Sequence, residues 1–201
     1  MLIKNVSDRR LVVIAGVVLD IDGIFILFNN DLFYKYHHTF GHSYIFGILI
    51  AITAGILAKD KKKVFFAALG AFTLHLIADI VGSNWAITPL YPITKYEITG
   101  SIYFSNFTIY NVINPVVFLL SILAIITIMY KKELSPLEFI SEKLDKRMVG
   151  LYIYPFKYKC ETCRKRAFIE CNICGKKACS NHTKSILKSK CKLCAGTQEK
   201  K

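Results

Sequence analysis

No cysteine precedes Cys160 in this chain of 201 residues, so a disulfide framework is excluded for most of the molecule. Acidic residues are also scarce, 14 against 27 Lys and Arg. The first apolar run follows Lys4, Arg9 and Arg10, as a secretory leader would. It is interrupted by Asp20 and Asp22, and no small-residue cleavage site follows it, which argues against a cleaved signal peptide. There is no internal repeat and no low-complexity tract besides the Lys-rich tail.

What the chain does have is apolar residues, 53% of the total, with a mean hydropathy of +0.38. That exceeds the usual soluble composition and makes a membrane protein the leading expectation. The net charge of +13 is unevenly spread. From Lys131 onward there are 18 Lys and Arg against 7 Asp and Glu, a net +11, which leaves +2 for everything before. Two regions in different solvents follow.

Four stretches read as membrane helices: Leu11 to Phe28, Ser43 to Ala58, Val64 to Gly82 and Val112 to Tyr130. About twenty residues cross a hydrocarbon core of roughly 30 Å, so the second is short and needs flanking residues or local thinning. Basic residues cluster before the first span, in Lys59-Asp60-Lys61-Lys62-Lys63, and in Lys131-Lys132. Four spans put all three clusters on one side, so both termini are expected in the cytosol. Asn29 to His42 and Ser83 to Asn111 then face outward. The longer outer segment carries Tyr91, Tyr96, Tyr103, Phe104, Phe107 and Tyr110, rings suited to the headgroup zone.

Beyond Lys132, Ser135-Pro136-Leu137-Glu138 predicts a capped helix start. Leu137, Ile140, Leu144 and Met148 mark one apolar face of a short connector helix ending near Gly150.

All seven cysteines lie between Cys160 and Cys194. With His182 they form Cys160-x2-Cys163-x7-Cys171-x2-Cys174-x4-Cys179-x2-His182-x8-Cys191-x2-Cys194, enough ligands for two tetrahedral zinc sites. A polar segment this short needs such a staple to fold. A cross-brace assigns Cys160, Cys163, Cys179 and His182 to one zinc, and Cys171, Cys174, Cys191 and Cys194 to the other. A sequential arrangement would exchange the middle pairs. The spacing resembles B-box and AN1-type zinc fingers, although those families usually end in histidines. Metal leaves the region at about +8, since two ions add four charges and seven thiolates remove seven. Nucleic acid, anionic lipid and protein are all candidate partners.

Ionisable groups inside spans are costly, about 2.5 to 3.5 kcal/mol each on insertion scales, and mark function or mutual compensation. Asp20 and Asp22 interrupt the first span, and His75 and Asp79 share a face of the third. Asp20 and His75 lie roughly 14 and 17 Å from the cytosolic ends at the usual helical rise. A helical His38-x3-His42 would likewise share a face, and His37 is adjacent. Together these acids and imidazoles suit one or two divalent cations, Zn, Mn or Fe more than Ca. Taken alone, His38 reads as an interfacial residue and Asp31 as a solvated loop charge.

Leu19-Asp20-Ile21-Asp22, His37-His38-Thr39-Phe40-Gly41-His42-Ser43, and His75-Leu76-Ile77-Ala78-Asp79 followed by Gly82 and Pro89-Leu90 resemble the YdjM-type inner-membrane metal-dependent hydrolases, also described as LexA-binding membrane proteins. The resemblance covers about residues 12 to 130. His38 stands where the family usually has Arg, and Gly41 where it has Thr. The resemblance implies Asp20, Asp22, His37, His42, His75 and Asp79 as metal ligands, with water activated by the ion. Asp22 or His42 would be the catalytic base, and Ser43 would either orient substrate or cap the second helix.

The expected architecture is therefore an all-α membrane protein of about four transmembrane helices plus a small cytosolic cross-brace zinc module. Its parts are a hydrolase domain over 1–130, a connector over 131–157, the double zinc module over 158–196 and a disordered tail over 197–201. Function is expected to be hydrolysis of a lipid-like or envelope substrate at a prokaryotic cell membrane. A membrane-anchored zinc-finger binding module and a cation transporter are the alternatives.

Overall fold

A computed structural model of the chain describes residues 3–99, 104–185 and 190–195. Tyr103 and the tail over 197–201 lie outside the described residues, as do the side chains of Asp22, Phe25 and Tyr34. The described chain is mainly helical and divides into two compact units, Met1–Leu119 and Leu120–Lys201.

The first unit begins with α1 (Val6–Val17), capped by Asn5, whose side chain accepts from the Ser7 and Asp8 backbone N–H groups. Helical hydrogen bonding then tightens to a 3-10 stretch over Val18–Leu27. The first expected span is thus an α-helix continued by a narrower helix at the point where Asp20 and Asp22 enter. Next come α2 (Asn30–Tyr36), α3 (Tyr44–Leu57) and α4 (Lys61–Gly82). Ser43 caps α3, its Oγ accepting from Phe46 N–H at 3.3 Å and donating to the Phe40 carbonyl at 2.8 Å; this is the capping role of the two considered for it.

Helices α1 and α3 both pack on α4. Their shared core is made of Ala15, Ala51, Ala54, Ala58, Val64 and Ala68. Small side chains let backbones approach closely, the usual solution for helices packed in lipid. Gly47 shows the limit, since a Cβ there would sit 2.5 Å from the Phe72 ring. A second cluster, Leu19, Phe72, Leu76 and Ile87, ties the segment after α4 to the bundle. At one end of α4, the buried Asp8 carboxylate accepts the backbone N–H groups of Lys59 and Asp60, both at 3.0 Å. It supplies acceptors that the helix start lacks.

Two helical stretches are long and apolar enough to cross a membrane, Lys61–Gly82 and Asn106–Lys132, of 22 and 27 residues. The expectation of four spans is supported at this level for two of them. Tyr44–Leu57 is apolar but shorter, and the first expected span is divided as described. Asn106–Lys132 comprises α5 (Asn106–Thr108), a π-helical turn over Ile109–Ile113, and α6 (Asn114–Lys132). Of the rings between α4 and α6, Tyr96, Phe104, Phe107 and Tyr110 are exposed.

The second unit holds most of α6, a 3-10 turn over Pro136–Phe139, α7 (Glu142–Tyr152) and α8 (Tyr154–Lys157). The single connector helix expected from Ser135 is therefore two elements. Ser141 supplies a second cap, accepting from Lys143 N–H, and the buried Asp145 carboxylate accepts Ser135 N–H at 2.5 Å. Two antiparallel pairs follow, β1 (Ile169–Glu170) with β2 (Lys177–Ala178) and β3 (Thr183–Ser185) with β4 (Lys190–Cys191), then α9 (Lys192–Ala195). The zinc-ligand segment is docked on the connector: a Cβ on Gly150 would approach the Phe168 carbonyl to 2.5 Å. Tyr154 donates to Glu170, which also pairs with Lys177.

Candidate metal centres

In the first unit, four of the expected ligands converge from three separate stretches. Asp20 comes from the 3-10 segment, His42 from the turn before α3, and His75 and Asp79 from consecutive turns of α4. His42 Nε2 lies 3.5 Å from Asp20 Oδ1 and 3.3 Å from Asp79 Oδ2, while His75 Nε2 lies 3.4 Å from Asp20 Oδ2 and from Asp79 Oδ2. A direct N–H···O hydrogen bond spans about 2.7 to 3.2 Å. Donors around one tetrahedral ion at about 2.0 to 2.2 Å stand about 3.3 to 3.6 Å apart, and the observed spacings fall in that window.

The surroundings agree. His75 Nδ1 faces the Gly16 carbonyl at 2.6 Å, which fixes the ring so that Nε2 is presented to the site. His42 is fully buried, and Asp79 Oδ2 is buried with no hydrogen-bond partner. A buried carboxylate oxygen left so is expensive unless a cation completes it. The residues present fit a divalent ion.

The histidine turn departs from expectation. Residues 37 to 43 form turns, with His38 at φ 65°, so His38 and His42 do not share a helical face. They meet nonetheless, ring centroids 4.5 Å apart. The turn is held by the segment after α4, where Thr88 N–H and Oγ1 donate to the His38 carbonyl and Tyr44 N–H donates to that of Pro89. His38 is buried, its Nδ1 without a hydrogen-bond partner, and groups with His42 and Asp79 within ligand range. Burial, with the charges of His42 and His37, brings its imidazole down to about 4. Reading His38 as interfacial is thereby corrected: the left-handed turn carries it inward. His37 belongs to neither metal-compatible group of the described residues; its ring stacks on Phe33 at 4.5 Å and meets Trp85 at 4.9 Å. No sequence signal short of the His38 backbone conformation distinguishes the two neighbours. Asp22 occupies the same 3-10 segment as Asp20, and its side chain is outside the described set.

In the second unit the ligands form the two cross-braced groups, Cys160, Cys163, Cys179 and His182, and Cys171, Cys174, Cys191 and Cys194. The Cys163 and Cys179 sulfurs are 3.5 Å apart, those of Cys174 and Cys191 3.7 Å, and His182 Nδ1 is 3.3 Å from Cys179. Around zinc at about 2.3 Å, tetrahedral sulfurs stand about 3.8 Å apart. Each group starts with a knuckle whose turn closes on a left-handed residue. Arg164 donates to the Cys160 carbonyl at 2.9 Å and Gly175 to that of Cys171 at 2.8 Å, with φ 62° and 71°. Burial pushes the Cys171 thiol up, but the backbone N–H groups of Cys191, Cys174 and Ile173 outweigh it and bring it down to about 6. Cys160 reaches about 6 in the same way, through Cys179, Cys163 and Thr162. Thiolates stabilised like this are ready ligands.

A family model described as YdjM inner membrane protein matches residues 4–137, most of the chain. No curated protein and no solved structure matches. The chain belongs to the YdjM inner membrane protein family, as its motifs suggested, and the family together with the two long apolar helices points to a membrane location.

Proposed function

We propose that this family member is a membrane-embedded, metal-dependent hydrolase acting on a lipid-like or envelope substrate. The observation that carries the reading is the 3.3 to 3.5 Å spacing of the His42 and His75 Nε2 atoms from the Asp20 and Asp79 carboxylates, longer than hydrogen bonds and in the range of donors that share an ion. These four residues would hold Zn, Mn or Fe. Such an ion supplies Lewis acidity and lowers the pKa of water toward neutrality. His75 is oriented by Gly16, and His42, fully buried between both carboxylates, serves as a ligand rather than a base. Asp20 is the member open to the surroundings, its side chain 53% exposed, which marks the direction of substrate approach. The grouping of His38 with His42 and Asp79 supports the higher of the two expected ion counts.

In this reading four segments cross the membrane, including the short α3 and the α1 region, with both termini cytosolic and the site opening outward. The basic clusters at Lys4 to Arg10, Lys59 to Lys63 and Lys131-Lys132 support that orientation. The cytosolic module holds two structural zinc ions, supported by the cross-braced cysteine groups.

The test is turnover by the full chain in lipid nanodiscs, supplied in turn with Zn, Mn and Fe, against lipid phosphoesters, esters and amides. Metal-dependent hydrolysis should fall by about 100-fold or more in His42→Ala, as loss of a ligand exceeds the 10- to 100-fold effect of an outer-shell change. Metal bound at the site without turnover on any substrate class would overturn the reading.

A further inference from the structure

The second unit carries an apolar surface that neither zinc group uses. One face of α7 is spent internally: Val149 and Ile153 pack with Tyr154 on Met129 of α6, and Gly150 abuts the Phe168 carbonyl. The other face is bare. Leu144 and Leu151, seven residues apart and hence on one side of α7, are 37% and 47% exposed, while Ile140 ahead of the Ser141 cap, Tyr152 in the last turn and Phe156 in α8 are 66%, 61% and 77% exposed. Large apolar side chains exposed in this number between residues 140 and 156 exceed ordinary surface scatter and mark an interaction site.

The position of that surface identifies its occupant. Lys157, the residue after Phe156, donates to the Tyr130 carbonyl at 3.1 Å and pairs with Glu133 at 2.6 Å. Tyr158 donates to the same Glu133 carboxylate. Helix α8 is thereby pinned to the last turn of α6, the long apolar helix, where Tyr130 and Lys131-Lys132 mark the boundary between hydrocarbon and water. Phe156 and the bare face of α7 are held beside this boundary. Exposed Lys131 and Lys132 at the end of α6 add charge of the sign that phosphate headgroups attract.

We infer that α7 and α8 form an in-plane membrane-surface anchor, with Ile140, Leu144, Leu151, Tyr152 and Phe156 inserted at the headgroup boundary where α6 leaves the bilayer. An amphipathic helix with an apolar face and lysines beside it binds membranes in this way. The anchor holds the zinc module against the membrane, at a fixed height set by the Lys157 contacts. It does not depend on hydrolysis or on any ion in the first unit.

Tryptophan depth quenching tests this on the full chain in nanodiscs of phosphatidylethanolamine and phosphatidylglycerol. Phe156→Trp and Leu144→Trp are each read as the difference from the parent, whose one tryptophan is Trp85. Ile173→Trp, in the second zinc knuckle, is the comparison, and zinc retention certifies folding of each variant. The added signal at positions 156 and 144 should fall about twofold or more with lipids brominated near the headgroup and stay insensitive to aqueous iodide. Position 173 should behave in the opposite way. Iodide quenching at 156 and 144 equal to that at 173 would overturn the anchor, because the face would then be in water. Shielding from both quenchers would overturn it too, because a protein surface or a second copy of the chain would then be the cover.

Discussion

The two metal-compatible regions are built on opposite plans. In the second unit every donor lies between residues 160 and 194, and cysteine pairs with two residues between them already supply half of the first group and all of the second. In the first unit the donors are spread from Asp20 to Asp79, and no two come from adjacent positions. On the proposed reading the cysteine module has little fold without its ions, whereas the first unit has an alanine-rich helical core formed without Asp20, His42 and His75. Metal would then be a structural staple in one and a guest in the other.

The sharpest way to break that comparison is to remove a thiolate. Cys171→Ser should unfold the second unit from β1 onward, since structural zinc in finger peptides contributes about 10 to 16 kcal/mol of apparent binding energy. Zinc release and loss of protease resistance should appear there, while the melting of the first unit stays put. A parallel loss of helix in the first unit would show that the two are not independent.

The converse substitution is Gly47→Val. With the Phe72 ring 2.5 Å from an added Cβ, overpacking should destabilise the α3–α4 contact by about 3 kcal/mol, read as a lower thermal midpoint in nanodiscs with the zinc content of the cysteine module unchanged. Asp8→Ala should cost about 2 kcal/mol in the same unit, since two backbone N–H groups lose their acceptor at roughly 1 kcal/mol each. The smallest effect runs the other way. Arg164 occupies the left-handed position that Gly175 fills in the second knuckle, so Arg164→Gly should stabilise the module by about 1 kcal/mol, seen as slower zinc loss to a chelator.

The same contrast explains what could be read from the residues alone. Cys-x2-Cys and Cys-x2-His spacing is a local property and marked the four ligand pairs, while the choice of cross-brace over a sequential arrangement comes from the fold, which groups the first pair with the third and the second with the fourth. His75 and Asp79 were legible for the same reason, because four residues along a helix is a fixed geometry. Membership of the YdjM family followed from the order of the Asp, His and His-x3-Asp motifs. His38 was not legible. Its inward position depends on one left-handed backbone angle and on Thr88 fifty residues away, neither of which leaves a pattern in the chain. The division of the first span into α1 and a 3-10 stretch escaped periodicity as well, since the apolar residues on both sides of Asp20 and Asp22 suit either helix type. Ser141 as a second cap was overlooked because Ser135-Pro136 is the stronger start signal, and the return contact from Asp145 closes that first turn early.

The central claim is that Asp20, His42, His75 and Asp79 hold an ion of their own, separate from those of the cysteine module. Metal counting on the purified full chain tests it most directly, comparing the parent with Asp79→Ala. At least three ions per chain are expected in the parent, with at least one lost and the two thiolate-bound zincs kept in the variant. A parent that binds two and a variant that binds the same two would contradict the account.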